Sequence, residues 1–598
     1  MNIPIKTNQL TIELNSCLIN QKYDFFIIET SEKHFIRGAD ILDAPLMCNN
    51  VQSVFFDSGK KFYVMMLKNA DNKLRLTDVL LNVEGGENIT ISIIDANSIS
   101  QRTMVSLLLN ALGSFENEML RSNNITGHFY CFNPKWIRRN TRNNESRILK
   151  IPCIEFSITN DMRLTLFVRT FTSELLKNQI LFSRRKFEQY PKYILESNNT
   201  LRRKLKDDTA TCFIMRQTKN DKTEIPFMEI QNLDRFDSSK MGIVANVISR
   251  FNKKYSGMCE LQFEAINDYT TAICSKTLIK ENSLAVQTAL QDCKIKIIDY
   301  IGDNYSKTFC EEIQEKLKEN YSIKATIGKR VSKDSLNFCI LHNATYYDEN
   351  NDPYKKVYAD VAVQHITLED FMGNANAAIT TIIHEILIKQ DIIERYFSLF
   401  DWNETSFKSD IAFGMRARIN DVERYFFMTI KPDGTFIFEE KKLDLFNMDD
   451  YTDCINIFLD NSDVVGIVKY SNGDINIIRD TSWFTIPEIE TIRSELSTGN
   501  TYLRGKEKRK ELFSSIVDIK LFEKDDCKYY FSGIIGEGMR SNINTAANIR
   551  KIEGYKNSKV RFDDMLQLMS VTFVRNGQLT VLPFPFKYLR EYIRSYDQ

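Results

Sequence analysis

A tyrosine followed by two lysines lies in a segment whose predicted layout suits phosphate binding. Residues 335–371 carry Tyr354, Lys355 and Lys356 on a short helix between two apolar strands. The predicted elements, in chain order, are a buried strand, that short helix, a second strand and a longer helix: 336–341, 354–356, 361–366 and 377–389. In such a Rossmann-like half-unit the loops and helix N-termini face one edge of the sheet, where backbone N–H groups and lysines can hold a phosphate.

Two further groups of basic side chains could contact a nucleic-acid backbone. The first group, on a predicted helical segment, comprises Arg184, Arg185, Lys186, Arg202, Arg203, Lys204 and Lys206. The second group, on a predicted helix within 528–552, comprises Arg540, Arg550 and Lys551. Each group could line a groove that follows the phosphates. A solvated helix face is the alternative interpretation of both.

The order of elements in 335–389 resembles the MID domain of Argonaute proteins. In that family a Tyr and a Lys lie on a helix, a Gln comes after the next strand, and a Lys lies late in the following helix. Together these side chains clasp the 5′ phosphate of a guide strand. The resemblance assigns these roles to Tyr354, to Lys355 or Lys356, to Gln364 and to Lys389. It implies that the aromatic ring stacks on the first base, that the ammonium groups offset the phosphate charge and that the amide donates to its oxygens. It also implies a Mg²⁺ ion at that phosphate. The interval before Gln364 is shorter than in the family, which leaves the choice between the two lysines open.

The end of the chain resembles the closing segment of PIWI domains, the partner of MID in Argonautes. In residues 563–598 a predicted helix is followed by an aromatic-x-Arg sequence, a short strand, a proline-bearing turn and a terminal helix. The resemblance implies that Arg575 reaches the guide phosphate or its neighbour and that the terminal helix packs near the MID pocket. An ordinary helix–strand–helix ending is the alternative.

PIWI domains share the RNase H fold, in which carboxylates on adjacent strands bind two divalent ions about 4 Å apart for phosphodiester cleavage. The matching positions in this sequence carry other residues: Met415 or Arg416, Asn472 before a glycine, and Ser570. None of these side chains supplies the missing negative charge. The resemblance therefore implies an Argonaute without slicer activity.

A shifted alignment leaves an active nuclease open. Asp410 and Asp474, together with Glu439 or Glu440, could then supply the metal ligands. Alanine changes at these positions would abolish cleavage if this alternative holds.

The composition favours a large, multidomain globular protein. The chain has 598 residues, of which 43% are hydrophobic, and its 79 basic and 79 acidic residues cancel. Zero net charge argues against a protein that coats nucleic acid non-specifically, although it leaves room for a local basic channel. The N-terminal segment does not resemble a signal peptide, and no apolar run approaches the roughly 18 residues of a membrane span, so we expect a cytoplasmic protein without a membrane partner.

The predicted fold class is α/β and α+β in several domains. The resemblance implies a bilobed, Argonaute-like architecture with a Rossmann-like MID domain and an RNase H-like PIWI domain. The expected units are an N-terminal α+β domain, a linker with a reduced PAZ-like region, a second linker, the MID domain and the PIWI domain: 1–130, 131–225, 226–300, 301–395 and 396–598.

The short PIWI part points to a divergent prokaryotic branch, similar in kind to the inactive Argonautes of two-component plasmid-defence systems (DdmE-like). That likeness implies three partners: a short 5′-phosphorylated guide, DNA rather than RNA; complementary plasmid or phage DNA; and an effector helicase-nuclease. The alternatives are the active metal-dependent endonuclease and an interaction scaffold without a nucleic-acid role, which the zero net charge favours.

Overall fold

The computed structural model describes most of the chain, with gaps. The described residues are 4–30, 41–42, 44–58, 61–113, 121–125, 128–132, 136–142, 145–158, 164–179, 190–195, 201–204, 207–215, 225–274, 284–291, 293–343, 346–347, 353–356, 358, 360–371, 375–420, 422–442, 449–498, 518–532, 542–543, 547–571 and 581–596. Within them the chain combines parallel and antiparallel sheets with helices, so the α/β and α+β multidomain fold class is confirmed.

A four-stranded parallel sheet contains the segment with Tyr354. Its strands, in order across the sheet, are Thr326–Gly328, Ile295–Asp299, Leu336–Leu341 and Val363–Thr367. Helices Asn304–Tyr321 and Ala375–Glu394 share one buried cluster with this sheet. All six residues of Leu336–Leu341 are buried, as expected for a strand covered on both faces. The sheet begins at Ile295, ahead of the boundary predicted at 301.

The N-terminal part is an α+β unit with its own sheet and core. Four antiparallel strands lie in the order Val51–Ser58, Lys61–Leu67, Tyr23–Thr30 and Ile89–Ile94. The helices are Ser16–Lys22, Asn72–Leu81 and Gln101–Asn110. Phe26, Val64 and Leu76 are buried together between the sheet and a helix, and each such side chain contributes about 1.5–3 kcal/mol of burial free energy.

The middle of the chain is rich in strands. These are Arg121–Ile125, His128–Phe132, Arg138–Arg142, Glu145–Ile158, Leu164–Ser173, Tyr193–Leu195, Leu201–Arg203, Phe213–Met215, Met228–Glu229, Cys259–Ile266 and Thr270–Cys274. The helices are Leu233–Asp237 and Lys240–Lys254. The prediction of a helix around Arg202 and Arg203 was wrong, because this segment pairs with Tyr193–Leu195 as a strand.

The C-terminal part is built on a sheet whose pairings are all antiparallel among the described strands. Its strands are Ile411–Ile419, Val422–Ile430, Phe436–Lys441, Val464–Tyr470, Ile475–Thr485, Asp518–Lys524, Cys527–Ser532 and Ala547–Gly554, with Asn542–Ile543 pairing with Met228–Glu229. The helices are Thr452–Asp460, Ile489–Ser497, Phe562–Met569 and Pro585–Tyr596. The predicted helix at Arg550 and Lys551 was wrong, since both residues lie on the strand Ala547–Gly554.

Short helical turns complete the described elements: Ala44–Met47, Gly86–Asn88, Ala96–Ser98, Ala111–Gly113, Glu174–Gln179, Pro353–Lys355, Leu368–Phe371 and Trp402–Glu404. None of the helices in the described ranges combines the length and the apolar character needed to cross a membrane.

The N-terminal strand Ile5–Leu14 joins the two halves of the chain. It pairs with Cys259–Ile266, and Thr7 pairs with Thr485 in the C-terminal sheet. Lys6 adds an ion pair with Glu488 at 2.8 Å. Strand Thr270–Cys274 also pairs with Asp518–Lys524. Sequence-distant segments therefore share one hydrogen-bonded sheet, which fixes the N-terminal strand against the C-terminal part.

Candidate nucleic-acid interface

Gln364 and Lys389 meet on the face of the parallel sheet that packs against helix Ala375–Glu394. The Lys389 ammonium donates to Gln364 Oε1 and to the Val363 carbonyl, each at 2.8 Å. The Gln364 amide donates to the Glu385 carboxylate at 3.3 Å. Glu385 and Lys389 are four residues apart and share one helix face. The sequence-predicted pair is thus in direct contact.

The terminal helix Pro585–Tyr596 brings three more charged side chains to the same place. The Lys587 ammonium lies 3.5 Å from a Glu385 oxygen and 2.9 Å from Glu591 Oε1. The Arg594 guanidinium lies 2.6 Å from the same Glu591 oxygen. Residues 587, 591 and 594 follow the helical period, so their side chains share one face. The spacing of these charges in the terminal helix was a signal available in the sequence, although the family resemblance gives them no role.

We call this group the two-helix charge cluster: Gln364, Glu385, Lys389, Lys587, Glu591 and Arg594. Its three cations outnumber its two carboxylates, so it carries one net positive charge. Burial lowers the pKa of the Lys389 ammonium, although Glu591 and Glu385 act in the opposite direction. Arg594 is two-thirds exposed whereas Glu591 is buried, so the cluster reaches from the interior to solvent. An anion that enters from the Arg594 side would meet positive charge.

Asp391 and Tyr588 hold the two helices of this cluster together. The Tyr588 hydroxyl donates to Asp391 Oδ2 at 2.7 Å, and both residues are fully buried. The Ser398 backbone N–H donates to the other carboxyl oxygen at 3.1 Å. Burial raises the pKa of Asp391 to about 7, against the lowering effect of these hydrogen bonds. The contact fixes the terminal helix beside Lys389.

Tyr354 and Lys356 lie on the opposite face of the strand from Gln364. The Tyr354 hydroxyl donates to the His342 carbonyl at 2.9 Å, and its ring meets the ring of His365 edge-on with centroids 5.1 Å apart. The Lys356 ammonium lies 4.8 Å above the Tyr300 ring. Because neighbouring strand residues point to opposite faces, His365 and Gln364 diverge. The structure therefore brings Gln364 and Lys389 together but does not bring Tyr354 and Lys356 to them.

The carboxyl edge of the parallel sheet carries a group that sequence reasoning missed. His342, directly after its strand, has Nδ1 2.6 Å from a Glu369 oxygen. The exposed Tyr346 ring packs on the His342 ring at a centroid distance of 4.0 Å. Ligands commonly bind at this edge of open α/β sheets, and an apolar strand ending in His was a signal available in the sequence.

The helix N-terminus at this edge is already occupied by carboxylates. Asp303 accepts from the Ser306 backbone N–H at 2.7 Å, and this hydrogen bond lowers the pKa of Asp303. Asp299 accepts from the Ser306 hydroxyl at 2.8 Å and from the Gly302 N–H at 2.9 Å. A phosphate would face these negative charges, so helix Asn304–Tyr321 does not offer the open anion site expected at such an edge.

Several sequence-predicted residues have no described side chain. Arg540 and Arg575 lie outside the described residues. Lys355, Arg202 and Arg203 belong to described elements, but their side chains lie outside the described part.

Arg550 and Lys551 are both engaged in ion pairs in the C-terminal sheet, Arg550 across to the neighbouring strand and Lys551 along its own strand. The Arg550 guanidinium lies 2.9 Å from Asp480 and is mostly buried. The Lys551 ammonium lies 2.6 Å from Glu553. These carboxylates already balance the two cations, which weakens their attraction for a phosphate backbone.

The three positions that match slicer carboxylates do not converge. Arg416 donates to the Phe458 carbonyl at 2.8 Å and to the Ser462 carbonyl. Asn472 lies in a hairpin turn and donates to Asp474 at 2.8 Å. Because Ile411 pairs with Tyr470, Arg416 is displaced from that turn by five residues, roughly 16 Å along the strand. The Ser570 hydroxyl donates to the Leu566 carbonyl within its own helix, at 2.6 Å.

The alternative carboxylates do not fit a two-metal centre either. Asp474 lies 3.0 Å from the Arg561 guanidinium, and the Asn472 hydrogen bond lowers its pKa. Glu439 and Glu440 lie on Phe436–Lys441, and two strands separate this strand from Val464–Tyr470, the strand before Asp474. Glu439 is paired with Lys441 at 3.0 Å and Glu440 with Arg424 at 2.9 Å. Asp410 is exposed at the start of its strand. Within the described ranges, no three His, Cys, Asp or Glu side chains are grouped to hold a metal ion.

No known protein-family profile and no curated protein matches the sequence. Among solved structures, the chain is similar to Marinitoga piezophila Argonaute in complex with 5′ OH guide RNA and target DNA, at 10% sequence identity, with 98% of each chain covered and a TM-score of 0.44. It is also similar to that protein in complex with 5′ OH guide RNA alone, at 9% identity, with 98% of each chain covered and a TM-score of 0.41.

Proposed function

We propose that this chain is a guide-directed nucleic-acid-binding protein of bilobed, Argonaute-like architecture. The observation that carries the proposal is the two-helix charge cluster. Two segments that independently resemble MID and PIWI sequences are far apart in the chain, yet Lys389 and Lys587 contact a common set of carboxylates. This contact supports the proposal, because the resemblance implied that the terminal helix packs near the MID pocket.

The cluster has the chemistry needed to hold a terminal phosphate. Lys389 is an ammonium whose burial is incompletely compensated, because its pKa is lowered despite two nearby carboxylates. An added dianion would stabilise its charged form. Lys587 and Arg594 offer further charge-assisted donors, and the Gln364 amide can donate to a phosphate oxygen. We therefore assign phosphate binding to Gln364, Lys389 and the terminal helix, with Arg575 as a further candidate.

The carboxylates of Glu385 and Glu591 support the proposed Mg²⁺ ion. A phosphate close to these carboxylates would be repelled unless a cation lay between them. Mg²⁺ prefers oxygen ligands and commonly bridges carboxylates and phosphates, so the donor set suits such an ion. The ion would offset the negative charge of the phosphate and the carboxylates together.

Tyr354, Lys355 and Lys356 are proposed to contact the first nucleotide rather than the phosphate. Tyr354 and Lys356 lie on the opposite face of the strand from Gln364. Next to them, the exposed ring of Tyr346 offers a surface on which a base can stack.

The protein is proposed to bind its target without cutting it. Base pairing with a short guide, DNA rather than RNA, would read complementary plasmid or phage DNA, while side chains hold the duplex by its backbone. Because the slicer positions carry Arg416, Asn472 and Ser570, the output would be recruitment of an effector helicase-nuclease in the cytoplasm, as in DdmE-like systems.

One experiment tests binding and inactivity together. Purified protein is mixed with a 5′-phosphorylated guide, a complementary DNA strand and Mn²⁺ or Mg²⁺, and the mixture is analysed by native and denaturing electrophoresis. We expect a ternary complex with an intact target strand. A target cut at a fixed distance from the guide end would refute the inactive assignment, and loss of cutting in Asp474→Ala would place the ligands at the alternative carboxylates. Failure to form any complex would refute guide-directed binding.

A further inference from the structure

The parallel sheet has an open edge on the side away from Gln364. Strand Thr326–Gly328 pairs with Ile295–Asp299 and with no other described strand. Thr326 is exposed and Ile327 is 46% exposed, so the outer row of backbone N–H and C=O groups is open to a further strand. Gln364 lies on the opposite edge strand, three strand spacings or roughly 14 Å away. This edge is therefore separate from the two-helix charge cluster.

Basic side chains flank this strand at both ends. Lys324 comes before it, Lys329 and Arg330 follow it, and all three are exposed. Lys296, which is partly exposed on the neighbouring strand, lies against Gly328, where a Cβ would come within 2.5 Å of Lys296 Cε. The missing side chain at Gly328 thus leaves room for this lysine beside the edge. We call this group the basic sheet edge: Lys296, Lys324, Ile327, Lys329 and Arg330.

Little negative charge offsets these four cations. None of them makes an ion pair or a side-chain hydrogen bond with a described residue. Within residues 322–335 there is one carboxylate, Asp334, against four cations. On the adjoining helix, Gln314 donates to the Ala325 carbonyl at 2.6 Å, and its neighbours on the same helix face, Glu311 and Lys318, carry opposite charges. The edge therefore keeps a local positive surplus, although the whole chain is neutral.

We propose that the basic sheet edge binds an extended acidic segment of a partner protein, which joins the sheet as a further strand. In this mode of recognition, backbone hydrogen bonds supply affinity and side chains at alternate positions supply specificity. Ile327 offers an apolar contact in the middle, and the flanking cations attract carboxylates at both ends of the segment. The same cations repel basic strands and second copies of this edge, which prevents indiscriminate pairing. A nucleic-acid backbone would use the cations alone and leave the open strand and Ile327 without a partner.

The probe is a labelled acidic peptide with an apolar centre, Glu-Asp-Val-Thr-Val-Asp-Glu, titrated into the full-length protein and followed by fluorescence anisotropy. One comparison peptide has Gln and Asn in place of the acids, and another has proline in place of both valines. We expect saturable binding of the acidic peptide. The two comparison peptides should bind about tenfold more weakly or worse, because the first lacks charge and the second lacks backbone donors. Equal binding of either comparison peptide overturns the proposal.

The double variant Lys324→Glu/Lys329→Glu locates the site. Both side chains are exposed, so the fold is retained. An exposed ion pair contributes up to roughly fivefold to a binding constant, and reversing both charges should weaken binding of the acidic peptide by about tenfold or more. The variant should instead bind a peptide with lysine in place of the acids, which a misfolded protein would not do. Equal affinity of the variant and the wild type for the acidic peptide would overturn the assignment.

Two controls complete the test. Lys73→Glu/Lys431→Glu changes two exposed lysines elsewhere in the chain and should bind the acidic peptide as the wild type does. A short DNA duplex without guide tests the other class of partner. If the duplex bound more tightly than the peptide and lost that binding in Lys324→Glu/Lys329→Glu, the edge would be a nucleic-acid surface and the proposal would be overturned. Guide binding should be unchanged in this variant, which separates the test from that of the proposed function.

Discussion

At the scale of single residues, Lys389 is the side chain on which the proposed function depends most. Its ammonium contacts Gln364 and the Val363 carbonyl, and burial lowers its pKa. A buried ammonium gains more from an added anion than an exposed one does, because water screens it less. The family resemblance was enough to predict that Gln364 and Lys389 lie together. It could not identify Glu385 and Glu591 as the competing carboxylates, since they come from facing helices whose contact only tertiary packing creates.

The variant Lys389→Met should lower the affinity for a 5′-phosphorylated guide by roughly 10- to 100-fold, equivalent to about 1.5–3 kcal/mol for a hydrogen bond to a charged group. Methionine keeps the length of the side chain and removes its charge. Fluorescence anisotropy with labelled guides measures the effect, and a guide with a 5′ hydroxyl should bind wild type and variant alike.

Lys431→Ala is the control for this prediction, because Lys431 is an exposed lysine in a turn and does not belong to the two-helix charge cluster. It should leave both affinities unchanged. If Lys389→Met weakened the two guides equally, or neither of them, the phosphate would not lie at the two-helix charge cluster.

At the scale of secondary-structure elements, apolar runs were the most informative part of the sequence. The strand Leu336–Leu341 has the predicted bounds, because a continuous buried run leaves little choice of structure. Arg550 and Lys551 were predicted to lie on a helix, but they belong to the strand Ala547–Gly554. This strand pairs with Ile475–Thr485, with a shift in register.

The junction of helices Ala375–Glu394 and Pro585–Tyr596 should respond to pH through Asp391. Its pKa is raised from 3.8 to about 7 by burial, so the folded state binds the proton more tightly than the unfolded state does. The contribution to stability is full below the unfolded pKa and is lost as the pH rises through about 7. With about 1.4 kcal/mol for each pKa unit, the loss is of order 4 kcal/mol at most.

Asp391→Asn keeps an acceptor for Tyr588 and cannot ionise. Thermal unfolding midpoints of wild type and variant should be close in acid, and the variant should gain on the wild type as the pH rises from the unfolded pKa of 3.8 to the folded pKa of about 7, with no further change above it. Asp460→Asn, at an exposed helix end, should show no such trend. A difference between Asp391→Asn and wild type that is constant with pH would show that Asp391 does not ionise in this range.

At the scale of the whole molecule, charge is separated although it sums to zero. The two-helix charge cluster has a positive surplus, so the negative charge that balances it lies elsewhere in the chain. The N-terminal strand Ile5–Leu14 ties the middle and C-terminal parts into one sheet. Such pairings between residues hundreds of positions apart leave no local signal in the sequence. The domain boundaries at 130, 225 and 300 could therefore be predicted only from the order of domains that the family resemblance implies. The parallel sheet is one example, because its strand Ile295–Asp299 lies before the predicted boundary at 300.

The most direct test of guide-directed binding is to sequence the nucleic acids that co-purify with the full-length protein. The proposal predicts short strands of narrow length range with 5′ phosphates and deoxyribose sugars, enriched over those that co-purify with the Lys389→Met variant. Recovery of no nucleic acid, or of fragments of all lengths in equal amounts from both proteins, would contradict it and favour a protein-interaction scaffold.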